Sequence, residues 1–166
     1  MRTTLSTRVI VVLVALAVPA LAENKAPAGF DSMKSLVGEW QGKSAAGRPV
    51  SISYSLISGG TCLMETLTPT DEHSMVTIYC PDGDRLMMTH YCNGNNQPRM
   101  RAEAVKGDPK VLSFSFVDAT NLSSPRQGHM HHLVVTLKDA NHFAQEWSWR
   151  DGDKEDKETF TFERNI

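Results

Sequence analysis

Beyond residue 18 the chain has no long hydrophobic run, and before Cys62 it has no cysteine. The first absence excludes a membrane-spanning helix from most of the chain, since a span needs about 20 consecutive apolar residues. The second leaves no thiol beside the N-terminal apolar stretch to carry a lipid. Basic residues are not in excess either: 17 Lys and Arg stand against 19 Asp and Glu. That balance argues against a nucleic-acid partner, because phosphate binding asks for a net basic face. With three cysteines in all, at least one stays unpaired if the others bridge within the chain. Apolar residues at helical spacing are also missing after Gly38, so no long helix is expected there.

What is present starts with Arg2 and Arg8, an apolar run over residues 9–18, Pro19, and the small-residue tripeptide Ala20-Leu21-Ala22. This is the layout of a signal peptide over residues 1–22, cut before Glu23. It predicts a soluble periplasmic or secreted protein with no membrane span. Cleavage would remove two arginines and no acid, leaving 15 basic and 19 acidic side chains and a net charge of −4. Residues 23–29 read as a polar, poorly ordered leader. Residues 30–166 have the length of one domain.

One or two helical turns are expected from Phe30 to Leu36, with Asp31 or Ser32 as N-cap and Met33, Leu36 and Val37 on one side. About ten short strand patterns follow, most with the period-two alternation of a sheet buried on one face. Val50, Ile52, Tyr54 and Leu56 alternate with serines, and Leu112, Phe114 and Phe116 alternate similarly. Further strands are read over 61–67, 74–80, 85–92, 97–105, 131–137, 143–150 and 158–164. Turn chemistry separates them, as in Ser58-Gly59-Gly60, Asp82-Gly83 and Asp151-Gly152. Sequential hairpins favour an up-and-down antiparallel barrel over a Greek-key sandwich, with the long 118–128 loop bordering the mouth. Counting back from the turn at 69–72 places Cys62 close to opposite Cys80. A bridge there would leave Cys92 free, whereas a slip of one residue would point the thiols apart.

Leu36-Val37-Gly38-Glu39-Trp40 at the first strand resembles the entry strand of the calycins, the superfamily of lipocalins, fatty-acid-binding proteins and nitrobindins. Other phrases are His90-Tyr91-Cys92, Asn96-Gln97-Pro98-Arg99-Met100, Met64-Glu65 and Phe143-Ala144-Gln145-Glu146-Trp147. Together they resemble a group of bacterial lipocalin-like domains of the DUF1579 type, over most of residues 30–164. The resemblance implies an all-β, calycin/lipocalin-like barrel of about ten strands with a short N-terminal helix, of a size that holds one ligand. It carries over no catalytic residue.

Residues 89–101 concentrate imidazole, thiol, amide and guanidinium groups across one hairpin. By alternation Leu86, Met88, His90 and Cys92 share a face, as do Arg99, Arg101 and Glu103. An inward Arg99 or Arg101 could grip a ligand carboxylate with its planar fork, or pair internally with Glu65 or Glu146. Equally, residues 93–97 form a tight turn with the arginines in solvent. His129 and His131 on one strand face suggest a metal only if His90, Glu146 or Cys92 adds a third ligand; hydrogen-bonded histidines are the default and no metal is expected. His131, His132 or His142 could serve as a haem ligand by the nitrobindin connection, but the phrases do not match the nitrobindin pattern, and no cofactor is expected. His90 beside Cys92 would suit a nucleophilic enzyme, yet no orienting acid is evident and no catalytic residue is assigned. Trp40, Trp147 and Trp149 read as core.

The function expected is an exported barrel that binds a small, mostly apolar or amphipathic ligand with a polar or anionic group. Its pocket would draw on Glu65, His90, Cys92, Arg99, Arg101, His131, Glu146 and Trp147. The competing readings are an enzyme on His90 and Cys92, a packed structural barrel, and a haem or metal barrel. A homodimer is left open. Interior volume separates binder from packed barrel, since a binder needs a cavity of about 300 Å³ or more.

Overall fold

Apolar/polar alternation resolves into ten strands in a computed structural model that describes residues 27–165. The expected signal peptide and most of the expected leader lie outside the described residues. In chain order the strands are β1 Gly38–Ser44, β2 Pro49–Ile57, β3 Cys62–Pro69, β4 Met75–Asp82, β5 Arg85–Tyr91, β6 Gln97–Ala102, β7 Val111–Thr120, β8 His129–Leu137, β9 His142–Asp151 and β10 Lys154–Arg164. Each pairs antiparallel with its sequence neighbours, and β1 pairs with β10 from Trp40 opposite Arg164 to Ser44 opposite Phe160, closing the barrel. Closure removes both sheet edges, so no row of unpaired backbone groups is left to template association. Among the described residues, no helix is long and apolar enough to cross a membrane.

One face of every strand turns inward. Val50, Ile52 and Tyr54 do so on β2, Leu63, Glu65 and Leu67 on β3, and Leu86, Met88 and His90 on β5. Two register shifts interrupt the ladder, between Arg99 and Met100 on β6 and between Met130 and His132 on β8. Shifts of this kind bend a strand and turn the side chains around them.

The two ends of the barrel differ. At one end the helix α1 (Ala28–Lys34) buries Phe30 and Met33, and Leu36 just beyond it is buried with them. A helix this short cannot hold itself together in water, so its contacts must supply its stability. Trp40 Nε1 donates to the Leu36 carbonyl at 2.7 Å. The Arg164 guanidinium lies 4.0 Å from the Trp40 ring centre and donates to the carbonyls of Ser35, Val37 and Ala140. The bonds to Ser35, Leu36 and Val37 satisfy carbonyls at and just past the helix end, and the bond to Ala140 ties that end to the turn between β8 and β9. Phe143 meets Trp40 edge-on at 4.7 Å and stacks on Phe162 at 4.6 Å, filling the space behind. The N-cap expected at Asp31 or Ser32 is instead Pro27, with no side-chain cap; Asp31 pairs with Lys34 at 2.6 Å and Ser32 bonds Asp108. Ala28 and Gly29, assigned to the leader from sequence, are part of this helix.

Cys62 and Cys80 are joined by a disulfide with their Cα atoms 4.5 Å apart. They continue the register in which Leu63 faces Tyr79, and their separation is that of directly opposed residues between ladder hydrogen bonds. Cys92 is the free thiol. Thiol titration in denaturant should therefore find one reactive group before reduction and three after. Replacing Cys62 and Cys80 by serine should lower unfolding free energy by about 2–4 kcal/mol, as expected for closing a short loop. Three thiols without reduction would refute the bridge.

Candidate functional site

Halfway up the barrel the inward faces turn polar. Glu65 on β3 is fully buried and accepts hydrogen bonds from three other strands. Tyr54 (β2) and Tyr79 (β4) donate their hydroxyls to Oε2 at 2.7 and 2.8 Å, and Gln145 (β9) donates Nε2 to the same oxygen at 2.8 Å. Thr77 (β4) donates Oγ1–H to Oε1 at 3.3 Å. Gln145 also donates to the Tyr54 hydroxyl at 2.8 Å and accepts from Trp147 Nε1 at 2.9 Å. Burial raises the Glu65 carboxyl above its ordinary range, and these four donors oppose the rise. Burial, followed by the charge of Glu65, pushes both tyrosine hydroxyls far up, so they remain donors.

His90 on β5 sits next to this hub, 1% exposed. Its Nδ1 lies 2.8 Å from Thr77 Oγ1, and its ring packs against Trp147 with centres 4.5 Å apart. Its Nε2 is buried without a partner. Burial lowers its pKa to about 4, so the ring is neutral at neutral pH.

Above His90 the barrel is hollow. A cavity of about 660 Å³ opens at the end opposite α1, walled by Val50, Leu67, Met75, Trp147 and Phe160. His90, Ser44 and Cys92 border it. Trp149 also lines it and lies close under the backbone at Gly94 and Gly128; a Cβ at Gly128 would stand 2.4 Å from the indole. Glycine at 128 is therefore required by the close approach of the ring. Arg48 and Lys157 at the opening are engaged by carboxylates, Arg48 with Glu158 at 2.7 Å and Lys157 with Glu146 at 3.0 Å.

Of the residues picked from sequence, Glu65, His90, Cys92 and Trp147 converge on this region. Arg99, Arg101 and Glu146 do not. Met100 lies opposite Met88 and shares its inward face, which sends Arg99 and Arg101 outward. There Arg99 Nε meets Asp118 at 2.6 Å and Arg101 meets Asp82 at 3.1 Å. The expectation that either arginine points into the barrel is thus corrected by strand phase. Glu146 alternates outward from the buried Gln145 and Trp147. The internal partners of Glu65 are hydroxyl and amide donors in place of arginine.

His131 stacks on Phe116 and places Nδ1 3.3 Å from His129 Nε2, while His129 Nδ1 donates to the Gln127 carbonyl at 2.7 Å. Burial is the main cause holding the His131 pKa down. No third ligand reaches this pair: among the described residues, no group of three or more His, Cys, Asp or Glu is placed to hold a metal ion. His132 bonds Ser113 and His142 bonds Asp139; neither borders the cavity. Cys92 is also poorly placed for nucleophilic work. Burial raises its thiol pKa, and a neutral His90 cannot lower it.

Sequence reasoning missed Tyr54, Thr77, Tyr79, Gln145 and Ser44 as site residues. In the structure each is a polar group at a buried position; alternation can mark such a position as inward, but it does not mark the side chain as a donor to a buried carboxylate. No family model matches the chain, and no curated protein matches it in sequence.

The lowered pKa of His90 has a measurable cost in acid. Its ordinary value is 6.5 and its folded value about 4, so the unfolded state binds more protons between these limits. The contribution is fully present above pH 6.5 and is lost as pH falls through the window, by about 2 kcal/mol at pH 5. The raised Glu65 carboxyl works with the opposite sign, so the effect is read by difference. Between pH 7.5 and 5 the wild type should lose about 2 kcal/mol more than His90→Phe. Equal losses in urea titrations would show that His90 is not held neutral.

Proposed function

We propose that this protein is an exported binding protein that takes a small, mostly apolar ligand with a polar group into the open end of its barrel. One observation carries the reading: an apolar cavity of about 660 Å³ is bordered by His90, a buried histidine whose Nε2 has no partner in the protein. Small-molecule sites occupy about 300–1,000 Å³, with apolar walls and a few convergent polar groups. A barrel built only to be packed would fill this space, because interiors otherwise reach crystal-like density. At the α1 end, by contrast, Phe30, Met33, Trp40, Phe143 and Phe162 are buried against one another.

The calycin-type reading of the sequence agrees with a closed antiparallel barrel that opens at one end, and belongs to the same proposal. So does export: the Cys62–Cys80 bridge suits an oxidising compartment, and the signal peptide read over residues 1–22 would deliver the chain there. Affinity would come from burying the ligand's apolar body, worth roughly 25 cal/mol per Å² removed from water, against Met75, Leu67 and Phe160.

A polarity-sensitive naphthalene dye should bind the protein with a fluorescence increase and quench Trp147. Met75→Trp, which adds bulk in the cavity wall, should weaken that binding at least tenfold (about 1.4 kcal/mol) with the far-UV circular dichroism unchanged. Equal affinity of the two proteins would place the dye elsewhere and count against the reading.

A further inference from the structure

The polar groups at the cavity define the polar end of its ligand. Thr77 has one hydroxyl proton and directs it to Glu65 Oε1. At 2.8 Å from His90 Nδ1, the same oxygen can then only accept, so the Nδ1 position carries the imidazole proton. A neutral ring has one N–H, and Nε2 is left with a lone pair. That nitrogen is a buried, unpartnered atom of a side chain that borders the cavity. The second unpartnered polar atom that borders the cavity is the Ser44 hydroxyl, also neutral.

Among the described residues, none of the side chains walling the cavity below its opening is a cation. The arginines that could have gripped an anion, Arg99 and Arg101, are on the outer surface in ion pairs. At the opening, Asp71, Glu72, Asp156 and Glu158 outnumber Arg48 and Lys157, and Arg48 already holds Glu158 and Glu72. An anion entering the barrel would meet net negative charge at the mouth and a lone pair at the base. An ammonium group would be desolvated there with no counter-ion, which is equally unfavourable. A neutral donor has neither difficulty, and it supplies the one hydrogen bond that His90 lacks.

We infer that the ligand's polar end is a neutral hydrogen-bond donor, an alcohol or phenol hydroxyl, held by His90 Nε2 at the base of the cavity, and that carboxylates are rejected. The inference rests on the binding reading above and narrows it. A carboxylic acid could still enter as its protonated form. With an ordinary pKa near 4.5, only about one molecule in a thousand is protonated at pH 7.5, so rejection should relax about tenfold for each pH unit of acidification.

The test uses three probes of one chain length, 1-decanol, its methyl ether and decanoate, each displacing the naphthalene dye from the full protein. At pH 7.5 decanol should bind about tenfold tighter than the ether and at least 100-fold tighter than decanoate. The gap to decanoate should close about tenfold per unit down to pH 5.5. His90→Leu should bring decanol and the ether to equal affinity. If that variant does not fold, ¹⁵N imidazole shifts of the wild type supply the second reading: Nε2 should be unprotonated in the free protein, and its resonance should move when decanol binds. Decanoate binding as tightly as decanol, an ether as tight as the alcohol, dye binding that decanol cannot displace, or a protonated Nε2 would each overturn the inference while leaving a binding protein. Failure of the dye and all three probes to bind would instead overturn the binding reading itself, and the inference with it.

Discussion

A carboxylate buried at the centre of a small barrel constrains everything around it. An isolated charge in that position would be prohibitively costly, so Glu65 requires donors, and the fold brings it four from three strands. The arrangement admits one register. Sliding β2, β4 or β9 by one residue would swing Tyr54, Thr77 and Tyr79, or Gln145 to the outer face and leave the carboxylate without partners. Satisfied polar networks of this kind are sensitive because they fail as a unit: loss of the carboxylate would strand four donors together.

That hub divides the barrel into two halves with different tasks. Below it, α1, Trp40, Phe143, Phe162 and Arg164 form a closed end in which aromatic rings stack and every helix-end carbonyl named above has a donor. Above it lies the cavity. Empty apolar space costs stability, because the lining side chains lose contacts that packing would supply. The closed half, the ring of ten paired strands and the Cys62–Cys80 bridge carry the fold, so the upper half can remain hollow. The free thiol and the unpartnered His90 nitrogen both belong to that upper half.

Much of this architecture was legible in the sequence. Alternation put Val50, Ile52 and Tyr54 on one buried face and grouped Leu86, Met88 and His90 on a shared face, whose inward direction only the structure supplies; counting from one turn placed Cys62 close to opposite Cys80. Glu65, His90, Cys92 and Trp147 were singled out and do come together. Arg99 and Arg101 alternate with the apolar Pro98, Met100 and Ala102, which favours an outward phase, but alternation alone does not exclude an inward arginine paired with a carboxylate. Only the pairing of Met100 with Met88 fixes it, and that is a non-local fact. The partners of Glu65 were hidden for another reason. A buried carboxylate suggests an arginine, whereas tyrosine and threonine are common strand residues on any sheet and give no sign that they act as donors.

Thr77 explains how a buried carboxylate can serve a neutral site. Had Glu65 contacted His90 directly, its charge would have favoured the imidazolium and raised the pKa, and the base of the cavity would carry a cation suited to anions. With a hydroxyl interposed, orientation passes through while the charge stays a bond away. Desolvation is then the governing influence on His90 and drives its pKa down. In that arrangement Glu65 and Thr77 would set which ring nitrogen holds the proton, while burial keeps the ring uncharged. This is the outer-shell logic by which a carboxylate sets a histidine's tautomer, with threonine as the spacer that separates tautomer control from charge.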